Sequence, residues 1–185
     1  NGYFGTESAD FIPTAHENRY GISKAGFGYA WHKGDARFDV AVNRNEPNRF
    51  GWIVEIDPTN PASKPKKRTA LGRFKHEGAE CVLSTGRKAV VYMGCDERNE
   101  YVYKFVSNGT YDPANPASGR DLLDSGTLYV ARFDAGTVVG DNQGTGTWIP
   151  LVFGQNGLTP ENGFANQAEV IARMISFTQF MHCCP

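Results

Sequence analysis

The sequence predicts an all-β fold, and three observations support that prediction. Short stretches of alternating apolar and polar residues, rich in β-branched and aromatic side chains, recur along residues 51–152. The 185 residues include 21 glycines and 10 prolines, enough to form many tight turns between such stretches. No apolar stripe of helical period occurs before residue 165. Taken alone, these features are compatible with a propeller, a sandwich or a barrel.

The first 50 residues are rich in glycine, aromatic side chains and charge, with little periodicity. Two segments, residues 26–31 and 38–42, have the composition of short strands. The remainder is predicted to be a long structured loop, and ordered loops of this length are usually functional or held by their neighbours. Residues 1–50 are therefore predicted to be a loop-rich segment that precedes the main strands.

The region 51–152 contains a series of predicted strands separated by turn-forming sequences. They lie at residues 52–57, 69–74, 79–83, 88–93, 100–107, 127–134 and 146–152. Residues 84–87 (Ser-Thr-Gly-Arg) have the composition of a hairpin turn. Tyr101, Tyr103 and Phe105 alternate along one strand and would share one face of a sheet. Four consecutive strands between residues 73 and 133 could form one antiparallel blade, and the whole chain would suit about two blades.

The last part of the chain, residues 153–185, is predicted to form a loop and one short helix. Helical character extends over residues 165–177. Within it, Ala168, Ile171, Ala172 and Ile175 would lie near one face. This helix is the main exception to an otherwise all-β pattern.

Composition and charge argue against several classes of function. The formal net charge is -1 with acidic and basic residues intermixed, which leaves no electrostatic footprint for nucleic acid or an anionic membrane. No apolar run approaches the ~20 residues needed to span a membrane. The four cysteines form no Cys-x-x-Cys pair, which argues against a zinc ribbon or a thioredoxin-type centre. Cys81 and Cys95 could form a disulfide across a hairpin, but two small buried residues are the favoured interpretation.

Charged residues interrupt two apolar stretches at the ends of neighbouring predicted strands. Glu77 follows Phe-Lys-His and precedes a glycine, and Asp96 lies in the sequence Gly-Cys-Asp-Glu-Arg. A carboxylate at a strand end is poor core material but a suitable hard ligand for a metal ion. Both are candidate metal ligands. Taken alone, Glu77 is more often a surface carboxylate, and Asp96 is equally well explained as a turn residue. His76 is predicted to orient a neighbouring carboxylate or to pack, rather than to bind metal.

A basic run occupies the connection between the first two predicted strands. It consists of Lys64, Lys66, Lys67 and Arg68. The run could attract phosphate, but a solvated connection is the favoured interpretation, because charge runs are most often exposed.

Several long motifs occur in order along the chain. They include residues 45–58, 67–79 (Lys-Arg-Thr-Ala-Leu-Gly-Arg-Phe-Lys-His-Glu-Gly-Ala), 101–107, 126–133 and 162–170. Together they resemble the PhoX-type alkaline phosphatases over most of residues 1–171. The resemblance implies a six-bladed β-propeller that hydrolyses small-molecule phosphate monoesters. It also implies iron and calcium as cofactors, export to the periplasm or the extracellular space, and a monomeric parent protein.

The resemblance also extends to individual residues. Glu77 matches a ligand of the family's iron centre, and Asp96 lies in a region of calcium ligands. The family commonly has Gly-Asp-Asp-Glu-Arg where this chain has Cys95 before Asp96. If the family's ligand is the first of those two carboxylates, the calcium site in this chain is altered.

We expect residues 1–185 to form a single partial propeller domain, an internal fragment of a longer protein. The family's metal-bridging cysteine and its Asp-Arg-Pro-Glu motif have no counterpart in the chain, and residues 176–185 match nothing in the family pattern. With those groups missing, the fragment alone is expected to be inactive. Two other functions remain open. One is a non-catalytic binding propeller with a degenerate metal site, and the other is a propeller hydrolase that uses calcium alone.

Overall fold

The structure is a computed structural model that describes residues 1–138, 140–141 and 143–174. Two compact units are present, Asn1–Gly51 and Trp52–Met174. In the described part of the chain, every helix is too short or too polar to cross a membrane. β-Strands dominate the second unit, in agreement with the all-β prediction for that region.

The unit Asn1–Gly51 is built from turns. Its α-helix, α1 (Ala15–Arg19), begins with a capping box, in which the side chains of Thr14 and Glu17 each accept a hydrogen bond from the other's backbone N–H. Three 3-10 turns follow along the chain, at Trp31–Lys33, Ala36–Phe38 and Glu46–Arg49.

The strands predicted at residues 26–31 and 38–42 are wrong. Left-handed residues interrupt the first segment, among them Gly28 and Ala30 with φ of 83° and 57°, and an extended strand cannot pass through them. The second segment contains only an isolated bridge at Asp39. Apolar side chains from this unit form a small core of Phe4, Phe11, Tyr20, Ile22 and Val40.

A five-stranded antiparallel sheet forms the centre of the unit Trp52–Met174. The strands of the unit are β1 (Val54–Glu55), β2 (Lys66–Lys67), β3 (His76–Leu83), β4 (Ala89–Cys95), β5 (Val102–Ser107), β6 (Gly126–Ala135) and β7 (Gly144–Pro150). Strands β3 to β7 each pair with the next along the chain, and β1 pairs separately with β2. The four-stranded unit predicted between residues 73 and 133 is thus present as β3 to β6, and β7 extends it to five strands.

One face of this sheet forms the core of the unit. Tyr103 and Phe105 on β5 are fully buried, whereas Val102 beside them is 42% exposed. Phe105 lies between Val91 on β4 and Leu128 on β6, and both neighbours are buried. The alternation predicted for residues 100–107 is therefore confirmed. On β5, Tyr103 and Phe105 face the core and Val102 faces away from it.

Two predicted strands are shortened or absent. The segment 52–57 forms only the two residues of β1, because its partner β2 is equally short and prolines at positions 58, 61 and 65 separate the two. The segment 69–74 is a 3-10 turn, Thr69–Leu71, followed by Gly72. Gly72 has φ of 85°, which breaks the extended path that a strand would need.

Helix α2 (Gln167–Ala172) confirms the helical character predicted over residues 165–177, in a shorter form. The side chain of Asn166 caps it by accepting a hydrogen bond from the N–H of Glu169 at 3.0 Å. Val170 is fully buried and anchors the helix in the core. The end of the predicted helix and the atypical residues 176–185 lie outside the described residues.

Replacing Gly72 with alanine is expected to lower the free energy of unfolding by about 2–3 kcal/mol, because it combines a left-handed backbone with overpacking. The added Cβ would lie 2.9 Å from Cδ2 of Leu128 and 3.2 Å from Cγ of Met174. Gly154→Ala is the matched control, since Gly154 has the same φ of 85° and nothing within 4 Å of the added Cβ. Urea denaturation of both variants measures the difference, and equal losses would contradict the packing argument.

Candidate metal-binding site

The start of β3 and the end of β4 bring the two candidate carboxylates together. Glu77 pairs with Gly94 in antiparallel register. The ladder continues beyond β4, since the N–H of Asp96 donates to the carbonyl of Lys75 at 2.9 Å. Glu77 and Asp96 are therefore diagonal neighbours on adjacent strands, a relation in which the residues lie about 7–8 Å apart.

Strand alternation places Glu77 and Asp96 on one face and His76 and Cys95 on the other. Residues directly opposite each other in an antiparallel pair share a face, so His76 lies on the same side as Cys95. Cys95 is two residues from Met93, which is 2% exposed on the core side of the sheet. The carboxylates therefore lie on the face away from the core, and Cys95 does not replace a carboxylate on that face.

Both carboxylates are exposed. Within the described residues, neither has a hydrogen-bond or ion-pair partner for its side-chain oxygens. Gly94, opposite Glu77, has no side chain to cover it, and the register of β3 shifts between Glu77 and Glu80. Gly78 lies in this bulge with φ of 78°, and bulges of this kind re-aim the adjoining side chain. The two sets of oxygens fit a hard cation such as calcium.

Two carboxylates alone do not make up a metal site. Among the described residues there is no group of three or more His, Cys, Asp or Glu side chains that could hold a metal ion. A calcium ion takes about 6–8 oxygen ligands. A calcium ion held by Glu77 and Asp96 would therefore need further ligands from other parts of the protein or from solvent.

A neighbouring acidic residue is already paired. Glu97, next to Asp96 in the chain, forms an ion pair with Lys75 across the two strands. Both side chains are partly exposed, so the pair contributes only about 0–1 kcal/mol to stability. Lys75 is therefore paired with Glu97 and, within the described residues, not with the carboxylate of Asp96.

His76 contacts the core rather than the carboxylate face. Its Nε2 lies 3.0 Å from the carbonyl oxygen of Gly72, and its ring centroid lies 3.6 Å from that of Phe74. Burial lowers the pKa of the imidazole, and the hydrogen bond with Gly72 opposes that shift. Nδ1 is buried and has no partner among the described residues.

The family model for alkaline phosphatase PhoX matches residues 1–178. The chain belongs to the PhoX alkaline phosphatase family. A solved structure of Pseudomonas fluorescens PhoX in complex with vanadate, a transition state analogue, is 50% identical and covers 94% of the chain with a TM-score of 0.86. The chain spans 30% of the length of that PhoX chain. No curated protein matches the chain. The resemblance to PhoX proteins that the sequence motifs predict is thus confirmed.

The cysteines in the described part of this PhoX chain are free thiols. Cys81 lies opposite Val91 in the β3–β4 register and therefore cannot face Cys95. Cys81 is exposed, because β3 is the edge strand of the sheet, and Cys95 is only half-buried. The interpretation of the pair as two small buried residues is wrong for Cys81. Cys183 and Cys184 lie outside the described residues.

The solvated environment predicted for Arg68 as part of the basic run is wrong. Its side chain is 1% exposed and binds Glu55 at 2.8 Å through Nε and Asp124 at 2.6 Å through Nη1. Nη2 donates to the carbonyl of Arg120. The hydrogen bond with Glu55 raises the pKa of the Arg68 guanidinium, with Asp124 adding to the shift against the cost of burial. Arg68 is thus neither part of a solvated run nor free to attract phosphate in this PhoX chain.

The other members of the basic run behave as predicted. Lys64, Lys66 and Lys67 are exposed. Lys66 forms an ion pair with Asp121 at 2.9 Å, close to the Arg68 cluster. No signal in the sequence distinguishes Arg68 from these lysines, because its carboxylate partners lie 13 and 56 residues away in the chain.

Proposed function

We propose that this chain is part of a metal-dependent alkaline phosphatase that hydrolyses phosphate monoesters and releases inorganic phosphate. The observation that carries the proposal is the pair Glu77 and Asp96. Within the described residues they are two carboxylates without hydrogen-bond or ion-pair partners on one face of β3 and β4, in a chain of the PhoX family. The vanadate complex of the Pseudomonas fluorescens protein supports the same class of reaction, since vanadate there is a transition state analogue.

In this proposal Glu77 and Asp96 supply carboxylate oxygens to the metal centre. Carboxylates suit calcium, and mixed donor sets suit iron, the two metals that the family resemblance implies. Such metal ions supply positive charge for the oxygens of the phosphoryl group and activate a nucleophile. Glu77 lies at a strand end, next to the bulge at Gly78 and opposite Gly94, which has no side chain to cover its oxygens.

We also propose that the five-stranded sheet is one blade of a six-bladed propeller. An antiparallel meander is the unit from which propeller blades are built. Tyr92, Val102 and Phe133 remain 42%, 42% and 66% exposed, as expected for side chains that pack against a neighbouring part of a larger protein. We further propose that the parent protein is located in the periplasm or outside the cell. There it would act as a monomer on small phosphomonoesters.

The alternative of a non-catalytic binding propeller depends on Cys95. A cysteine in place of an acidic residue favours a degenerate site only if that position faces the metal. Cys95 is opposite His76, on the other side of the sheet from Glu77. Asp96 keeps a carboxylate on the face that Glu77 occupies, so this departure from the family pattern does not favour a binding module.

The full-length protein that contains this chain is expected to hydrolyse an aryl phosphate at alkaline pH when loaded with iron and calcium. Residues 1–185 alone are expected to show no turnover above background, because the part of the chain that the structure describes contains no group of three or more ligands that could hold a metal ion. Release of the aryl alcohol, followed by absorbance, measures both activities.

Chelation and a variant complete this experiment. Full-length protein treated with a chelator should lose its activity and recover it when both metals are restored. Recovery with calcium alone would favour the hydrolase that uses calcium without iron. Absence of activity in the loaded full-length protein would contradict the proposed function, and turnover by residues 1–185 above a Glu77→Ala control would contradict the predicted inactivity of the fragment.

A further inference from the structure

His76 connects the core side of the sheet to the turn that precedes it. Its Nε2 lies 3.0 Å from the carbonyl oxygen of Gly72. Since a carbonyl oxygen can only accept, Nε2 carries the hydrogen and donates it. The ring also packs on Phe74 at a centroid distance of 3.6 Å, and Phe74 is itself 1% exposed. One directional hydrogen bond and one buried aromatic surface therefore hold the imidazole in place.

The hydrogen bond closes the turn from which β3 starts. Gly72 ends the 3-10 turn Thr69–Leu71. The backbone N–H of His76 donates to the carbonyl of Phe74 at 3.1 Å, a second hydrogen bond within the same turn. Because β3 begins at His76, this turn leads directly into the strand position that Glu77 occupies.

A packing role alone does not account for an imidazole at this position. Nδ1 is buried and lacks a partner in the part of the chain that the structure describes, and a buried polar atom without a partner costs free energy. A phenylalanine would fill similar space against Phe74 without that cost. What phenylalanine lacks is the Nε2 donor to Gly72.

We propose that His76 is a positioning residue for the Glu77 carboxylate, and that it acts by holding the Gly72 turn rather than by contacting a metal ion. The side chains of His76 and Glu77 lie on opposite faces of β3, so the effect passes through the backbone. The inference rests on the proposed function, in which Glu77 binds metal. Loss of the donor should weaken metal binding even where the fold is retained.

Calcium titration of the full-length protein, with thermal unfolding measured on the same samples, tests this role. His76→Phe keeps the aromatic contact with Phe74 and loses the donor. It is expected to weaken calcium binding by about 10-fold, the lower end of the loss seen when a group that orients a metal ligand is removed, because His76 acts through the backbone and not by a hydrogen bond to Glu77. His76→Gln keeps an amide donor near the position of Nε2 and is expected to bind calcium almost as tightly as the wild type. If His76 only packs against Phe74, the phenylalanine variant should instead bind calcium more tightly than the glutamine variant.

One further variant makes the outcome decisive. His76→Asn has an amide too short to reach Gly72, so it should resemble the phenylalanine variant, and it replaces that variant in the comparison if His76→Phe fails to fold. Equal calcium affinity in the glutamine and asparagine variants would overturn the positioning role, as would a loss confined to thermal stability.

Glu77→Gln separates this inference from the proposed function. If that variant binds calcium as the wild type does, Glu77 is not a calcium ligand and the inference fails, whereas the proposed function is tested separately by hydrolysis of the aryl phosphate. If it loses calcium binding while His76→Phe retains full affinity, only the positioning role is overturned.

Discussion

Replacing Glu77 with glutamine is expected to lower kcat/KM for an aryl phosphate by about 10³-fold or more in the full-length protein, since losing one group that stabilises transition-state charge already costs about 10²–10³-fold. Glutamine keeps the shape of the side chain but removes its negative charge, and a neutral amide is a weaker ligand for a hard cation. The loss should appear both in activity and in the metal content of the purified protein. Steady-state kinetics at alkaline pH and elemental analysis measure the two effects.

Glu80→Gln is the matched control for this change. Glu80 lies on the same strand, is also exposed, and follows the bulge that separates it from Glu77. Its replacement removes the same charge from the same edge strand, so it should leave activity and metal content close to wild type. Equal losses in both variants would indicate a general charge effect on the sheet and would contradict the role of Glu77 as a ligand.

The sheet could be predicted from the sequence because its strands follow the simple rule of alternation. Tyr103 and Phe105 are apolar at every second position, and both are fully buried. The rule failed at residues 69–74, where apolar residues are present but Gly72 adopts a left-handed conformation. It failed again in residues 26–31, at Ala30, because left-handed backbone at a non-glycine residue leaves no mark in the composition.

The candidate site could be predicted only in part. Charged residues at strand ends identify Glu77 and Asp96, but the sequence does not reveal which residues share a face. That information comes from the register, which pairs Glu77 with Gly94 and His76 with Cys95. A shift of one residue would exchange the two faces, so motif comparison alone could not decide whether Cys95 alters the site.

Replacing Arg68 with methionine is expected to lower the free energy of unfolding by about 2–4 kcal/mol. This loss is somewhat smaller than the roughly 3–5 kcal/mol typical of removing one partner from a fully buried ion pair. The side chain of Arg68 is 1% exposed, whereas Glu55 and Asp124 are 44% and 51% exposed and can recover some hydration. Methionine fills much of the volume but leaves both carboxylates and the carbonyl of Arg120 without their donor. Urea denaturation measures the change.

Two comparisons separate the loss of this network from the loss of a positive charge. Lys64→Met removes a charge from the same basic run at an exposed position and should change stability by less than about 0.5 kcal/mol. Arg68→Lys keeps the charge but has one ammonium group in place of a planar guanidinium that binds three partners. It should therefore recover only a small part of the stability. Full recovery by lysine would mean that charge alone holds β1 to the segment around Asp124, and the argument from directional hydrogen bonds would be wrong.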